Sequence, residues 1–139
     1  DNFTGLVWEG KTTEGGAHHF LDSFQWGGKG AIGYDDPTKQ GIYYNQWNAL
    51  VDDSNENVYC GISTWRLPTI EEFSSLANKG KDAGSIDLTY FPNTVSQMYW
   101  TANPVRVNDG QAWTIHFRYG YDSIQSRAGY NYVRLVAEK

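Results

Sequence analysis

Trp65-Arg66-Leu67-Pro68-Thr69-Ile70-Glu71-Glu72-Phe73 is the stretch on which the fold turns. Pro68 restricts Leu67 to an extended conformation, so the chain enters this segment as a strand. Thr69 then stands where a helix begins, and Glu72, three residues later, completes a Thr-x-x-Glu capping box. Ile70, Phe73, Leu76 and Ala77 fall on one helical face. Lys79 complements the negative end of the helix dipole and Gly80 supplies the stop. An extended segment running straight into a capped amphipathic helix predicts strands and helices mixed along one chain.

Upstream, Gly5-Leu6-Val7-Trp8-Glu9 reads as a short first strand. Residues 10–41 are rich in Gly and polar residues and read as loop, with a short strand around Ala31–Tyr34. Residues 42–53 carry Tyr43, Trp47, Leu50 and Val51 at helical spacing, and Ser54-Asn55-Glu56-Asn57 closes that element. Downstream, Ile86–Asn93 is extended and Met98–Ala102 is a strand. In Ala112–Arg118 the residues Trp113, Ile115 and Phe117 alternate with Thr114, His116 and Arg118, as a strand requires. Gly120–Gly129 reads as a polar loop and Tyr130–Val136 as the last strand. The expectation is α+β: one domain over residues 1–139, two helices, a small antiparallel sheet and long loops.

The chain has 139 residues, one domain by the length prior. Aromatic residues make up 16% and charged residues 19%, which fits a folded domain and excludes a disordered tail. The net charge of −5 argues against nucleic-acid binding, and no apolar run is long enough to predict membrane insertion. Charge is unevenly spread: residues 1–97 carry −7 and residues 98–139 carry +2. The single cysteine, Cys60, excludes an intrachain disulfide and reads as a buried, inert thiol.

Catalytic and metal motifs are missing: there is no His-Glu-x-x-His, no Gly-x-Ser-x-Gly and no phosphate-binding glycine loop. His18 and His19 are adjacent, point to opposite sides of an extended chain and read as a polar loop pair. Asp52–Asn57 is rich in oxygen ligands and is the one place to consider Ca²⁺. It lacks a glycine at the turn and a closing glutamate, so a solvated helix end is the better reading. No catalytic residue, metal site or cofactor is expected.

Binding chemistry is better supplied. Aromatic rings cover the apolar faces of sugars, and amides and cations address their polar edges. Trp8, Trp47, Trp65, Trp100 and Trp113 lie within regular elements and are assigned to the core. Trp26, Tyr34, Tyr119, Tyr121 and Tyr130 sit beside glycines in loops and are the candidates for exposed contact. The candidate glycan ligands are Arg106, Arg118 and Arg127 in or beside the C-terminal loops, with Lys29, Lys39, Lys79 and Lys81, and with Tyr119 and Tyr121.

Several phrases occur in order along nearly the whole chain: Thr4-Gly5-Leu6-Val7-Trp8, the Trp65–Phe73 stretch, Tyr90-Phe91-Pro92-Asn93-Thr94, Tyr99-Trp100-Thr101-Ala102, Ala112–Phe117 and Val133-Arg134-Leu135-Val136. Together they resemble the C-terminal domain family of the Legionella collagen-like protein and its bacterial relatives. The resemblance implies a fold akin to C-type-lectin-like and formylglycine-generating-enzyme-like domains. It further implies a secreted or cell-surface adhesin domain without enzymatic activity, acting in host attachment and biofilm. It would be a homotrimer on a collagen-like stalk, binding sulfated glycosaminoglycans of the heparan and chondroitin sulfate type. The family's second cysteine near the last strand is replaced here by Val133-Arg134-Leu135-Val136, so neither a bridge to Cys60 nor a cysteine-pair oxidase activity carries over. Arg66 and Arg134 match the family phrases and are read as structural ion-pairing or hydrogen-bonding groups. The alternatives are a trimerisation cap without its own ligand, and a divergent enzyme.

Overall fold

Four backbone attachments fix the Trp65–Ile70 phrase at the centre of the molecule. The computed structural model describes residues 4–13, 18–19, 21–27, 45–77, 91, 93–95, 97–105, 110–116 and 119–138. Its elements in chain order are β1 (Leu6–Trp8), β2 (Ser23–Phe24), α1 (Asn45–Glu56), a 3-10 turn (Tyr59–Gly61), α2 (Ile70–Ala77), β3 (Met98–Pro104), β4 (Gln111–His116), β5 (Asp122–Ser126), β6 (Asn131–Tyr132) and β7 (Val136–Glu138). Asn55 at the end of α1 brackets Trp65, its side chain accepting from the Trp65 N–H at 2.6 Å and donating to the Trp65 carbonyl at 3.0 Å. Arg66 exchanges two backbone hydrogen bonds with Val136, both 2.9 Å. The Pro68 carbonyl accepts from Ala102 N–H at 2.8 Å, and Asn103 Oδ1 accepts from Ile70 N–H at 3.0 Å.

The capping box forms as the sequence predicts. Thr69 Oγ1 accepts from Glu72 N–H at 3.2 Å and Glu72 Oε1 accepts from Thr69 N–H at 2.8 Å, pairing two amides that the helix leaves open. Phe73 and Leu76 are buried beneath α2, and Ile70 is half-buried. Lys79, Gly80, the strand expected at Ala31–Tyr34 and all of the extended stretch expected at Ile86–Asn93 except Phe91 and Asn93 lie outside the described residues.

Two sheets are present among the described residues. β1 and β7 pair antiparallel, Leu6 opposite Glu138 and Trp8 opposite Val136. The larger sheet has the order β2-β6-β3-β4-β5. It is mixed, because β3 and β6 meet as a parallel pair at Tyr99 and Tyr132, whereas an antiparallel sheet was expected. Gly120–Gly129 is not a loop. Its middle is β5, paired along its length with β4, Trp113 opposite Ile124 and Thr114 opposite Ser123. Few apolar residues mark β5, because its residues alternate between exposed and half-buried positions and bury nothing completely. The last expected strand is broken into β6 and β7, which join different sheets.

The larger sheet is covered on both faces. Trp100, Ala102 and Ala112 join Trp26, Trp47, Leu50, Trp65, Leu67 and Leu135 in one apolar cluster, and Tyr99 and Ile115 join Phe73 and Leu76 in another. Neighbouring β3 residues thus feed opposite clusters, as alternation along a strand requires. A register shift of β3 between Trp100 and Pro104 frees Ala102 N–H and the Asn103 side chain for the start of α2. Trp113, assigned to the core, is only half-buried, while Thr114 on the opposite face is fully buried. Among the described residues no helix is long and apolar enough to cross a membrane.

Candidate functional site

The connection from β4 to β5 is short, and it brings Tyr119 and Tyr121 beside His116 at the end of β4. His116 closes β4 and is 7% exposed, and Gly120, at φ 71°, makes the turn, its N–H donating to the His116 carbonyl at 2.7 Å. The ring of Tyr119 lies 5.0 Å from that of His116 at 30°, and the ring of Tyr121 lies 5.2 Å away at 18°. The two tyrosines are themselves 6.3 Å apart and nearly parallel, at 15°. Three near-parallel rings at these separations form an aromatic tile of two tyrosines and one buried histidine. Tyr119 is 60% and Tyr121 47% exposed, so both tyrosines of the tile reach solvent. His116 Nδ1 accepts from Tyr119 N–H at 3.3 Å, which fixes the imidazole within the tile. Tyr130 is also exposed.

The arginine expected on this surface is elsewhere. Arg127 follows β5 but is only 2% exposed. Its guanidinium lies 4.3 Å from the centre of the Trp26 ring, its Nε donates to the Gln111 carbonyl at 2.9 Å, and its N–H donates to Gly110 at 2.9 Å. The assignment of Arg127 as a glycan ligand is therefore corrected: it is a buried cation–π anchor. Trp26, taken for an exposed contact, is likewise fully buried. Its ring packs edge-on against Trp47 at 5.2 Å and its Nε1 donates to the Thr101 carbonyl at 3.2 Å. The two errors have one cause, since each residue buries the other. Arg106, Arg118, Lys29, Lys39, Lys79, Lys81 and Tyr34 lie outside the described residues.

The remaining described cations are structural. Arg66 grips Glu72 with two parallel hydrogen bonds of 2.8 Å and reaches Glu138 at 2.6 Å. The hydrogen bond to Glu72, ahead of the opposing effect of burial, holds the guanidinium above its usual range, and Arg66 holds both carboxyls below theirs. Lys11 and Arg134 belong to a buried polar cluster that sequence reasoning missed. Glu9, fully buried, accepts from Lys11 Nζ at 2.6 Å and from Leu135 N–H at 2.7 Å, and its Oε1 lies 2.6 Å from His18 Nδ1. Arg134 donates to the Glu9 carbonyl and, at 3.0 Å, to Thr94 Oγ1. Burial pushes the Glu9 carboxyl up, but Lys11, His18 and the Leu135 amide together hold it below its usual value. Burial lowers Lys11 and Arg134 despite the opposing pull of Glu9. His18 is half-buried at the edge of this cluster, and its ring stacks on Tyr59 at 3.7 Å and 12°. The only sequence signal was the charge at Glu9 and Lys11 directly after an apolar strand.

Cys60 is exposed, which corrects its assignment as a buried thiol. Val58, Cys60 and Gly61 all have positive φ, at 50°, 53° and 78°, so the chain leaving α1 makes a left-handed turn that carries the thiol outward. At Asp52–Asn57 the helix runs through Glu56, Ser54 donates to the Leu50 carbonyl at 2.7 Å and Asn55 is committed to Trp65. Among the described residues no group of three or more acidic, cysteine or histidine side chains is placed to hold a metal ion.

Comparison with curated proteins and with solved structures gives no match. The family model of the Lcl C-terminal domain matches residues 1–137, nearly the whole chain, and the chain belongs to that family.

Proposed function

We propose that this is a non-enzymatic, extracellular glycan-recognition domain of a bacterial surface adhesin, and that its ligands are sulfated glycosaminoglycans. The supporting observation is the exposed Tyr119–Tyr121 tile on His116, with Arg118 next to it in sequence. Flat aromatic plates suit the C–H faces of pyranose rings, and adjacent guanidinium groups suit sulfate. A homotrimer on a collagen-like stalk, at the cell surface or secreted, would repeat this tile three times and turn modest single-site binding into avidity. A C-type-lectin-like or formylglycine-generating-enzyme-like architecture is consistent with the α+β arrangement of two helices and a mixed sheet.

Removing Arg127 from the binding surface shifts the proposal. The four described Lys and Arg side chains, Lys11, Arg66, Arg127 and Arg134, are all engaged within the fold. The cationic share of binding rests on Arg106, Arg118, Lys29, Lys39, Lys79 and Lys81, and stacking carries more of the load. The Tyr119→Ala/Tyr121→Ala double variant is expected to weaken binding to immobilised heparin and chondroitin sulfate about tenfold or more with an unchanged melting temperature. Arg106→Ala/Arg118→Ala is expected to flatten the salt dependence of binding. Full binding by the tyrosine variant would refute this placement. The engagement of every described cation, with the net charge of −5, favours one second reading, a trimerisation cap without a ligand. A stable trimer in solution that binds nothing on a glycan array selects it.

A further inference from the structure

We propose that the open edge of β5 is a self-pairing surface, on which a second copy of this chain adds its own β5 antiparallel about Ile124. β5 is the last strand of the larger sheet, so one of its two sides has no strand partner among the described residues. The ladder to β4 fixes which backbone groups face that side. His116 N–H donates to the Tyr121 carbonyl at 2.8 Å and Arg127 N–H to the Gly110 carbonyl at 2.9 Å, one at each end of an unbroken register. Hydrogen-bonded pairs alternate along an antiparallel ladder. Tyr121, Ser123, Gln125 and Arg127 therefore direct their backbone groups at β4, and Asp122, Ile124 and Ser126 direct theirs outward.

Asp122, Ile124 and Ser126 are also the exposed residues of the strand. Among the described residues nothing bonds to the outward backbone groups of Asp122 and Ile124. The Ser126 carbonyl takes the Gly129 N–H at 2.9 Å and leaves the Ser126 N–H open. Edge strands are ordinarily blunted by Lys, Pro, a bulge or very short length. β5 has none of these: Asp122–Ser126 pairs residue for residue with Gln111–Ile115. At the opposite edge of the sheet, β2 is only two residues long.

The order of residues in β5 selects a copy of itself as the occupant. Set antiparallel about its middle, Ile124 meets the second copy's Ile124 and Asp122 meets the second copy's Ser126. Each of these residues directs its backbone outward, so every pair is of the hydrogen-bonded kind. The strand's one charge faces a hydroxyl residue, and the two Asp122 residues stand about 14 Å apart, four residues along the strand. On β4, half-buried Trp113 lies opposite Ile124. Cross-strand neighbours share a face, so pairing builds one apolar row from Trp113 through both Ile124 side chains to the second copy's Trp113. That row covers Ile124, which is 42% exposed in the single chain. The inference is independent of glycan recognition by the tile, and a trimer would carry three such edges.

Sedimentation equilibrium of the full chain is the test. Its mass should rise with concentration between about 10 μM and 1 mM, and rise further in high salt, because two chains of net charge −5 repel. Glycosaminoglycan binding weakens in salt, which separates the two readouts. Ile124→Lys, a change at an exposed side chain, should abolish the rise and move the melting temperature by less than about 2 °C. Cross-linking reads the register directly. In a Cys60→Ser background, Ile124→Cys should form a disulfide with its own copy about tenfold faster than Ser123→Cys, whose counterpart in this register is Gln125. A mass independent of concentration overturns the proposal, whether or not an unrelated extended peptide adds to the edge. A rise that survives Ile124→Lys, or equal cross-linking by the two cysteine variants, overturns it as well.

Discussion

Replacing Glu9 by Gln keeps the shape of the side chain and removes its charge. In the folded protein Glu9 is fully buried and the Lys11 side chain is 3% exposed, with the Lys11 ammonium 2.6 Å from Glu9 Oε1. Gln offers one acceptor where the carboxylate serves Lys11, His18 and the Leu135 amide, and its –NH₂ must face one of these groups. Breaking a buried pair from one side costs about 3–5 kcal/mol, because the other charge stays buried and uncompensated. Against a total stability of about 5–15 kcal/mol, the expected fall in melting temperature is about 10–20 °C. Urea and thermal unfolding at pH 7 measure it. Adding Lys11→Met should recover a large part of the loss, since the stranded ammonium is then gone, and a double-variant cycle gives the coupling. The pH dependence has a definite sign. The Glu9 carboxyl is held below its ordinary 4.5 in the fold, so its contribution is complete above that value and is lost as pH falls through the lower folded-state value. The gap between the parent protein and Glu9→Gln should therefore narrow on acidification. A loss below about 1 kcal/mol at pH 7, or no recovery with Lys11→Met, would refute the reasoning.

Three further outcomes are expected. Arg66→Lys loses the two-pronged grip on Glu72 and should cost about 1–2 kcal/mol in urea unfolding, because an ammonium cannot make both 2.8 Å contacts at once. Val58→Asn should stabilise the protein by about 1 kcal/mol, because a β-branched residue at φ 50° is strained, asparagine tolerates that region, and the position is exposed. Cys60 should react completely with a thiol reagent in the native protein, without denaturant. Protection until unfolding would contradict its exposed position.

The tile of Tyr119, Tyr121 and His116 was half legible. Tyrosines flanking a glycine in a polar stretch signal exposure, and both tyrosines are exposed. That His116 supports them follows from the tightness of the β4–β5 turn, which no residue pattern announced. Arg127 failed for the complementary reason. Its neighbours Ser126, Ala128 and Gly129 say loop, and the indole that covers it is about a hundred residues away in sequence, at Trp26.

What the chain determines by itself is local. The start of α2 is written into Thr69 and Glu72, because a capping box closes within four residues and needs no partner elsewhere. The helical faces of Trp47, Leu50, Phe73 and Leu76 and the existence of β3 and β4 are legible for the same reason, whereas the burial of Thr114 and the half-burial of Trp113 in β4 are not. Only the tertiary structure decided that β5 exists, that β6 and β7 separate, and that Glu9, Lys11, His18 and Arg134 share one buried cluster. Each of these depends on a partner distant along the chain, and a hydrogen bond or a charge carries no mark in the sequence of which remote group will meet it.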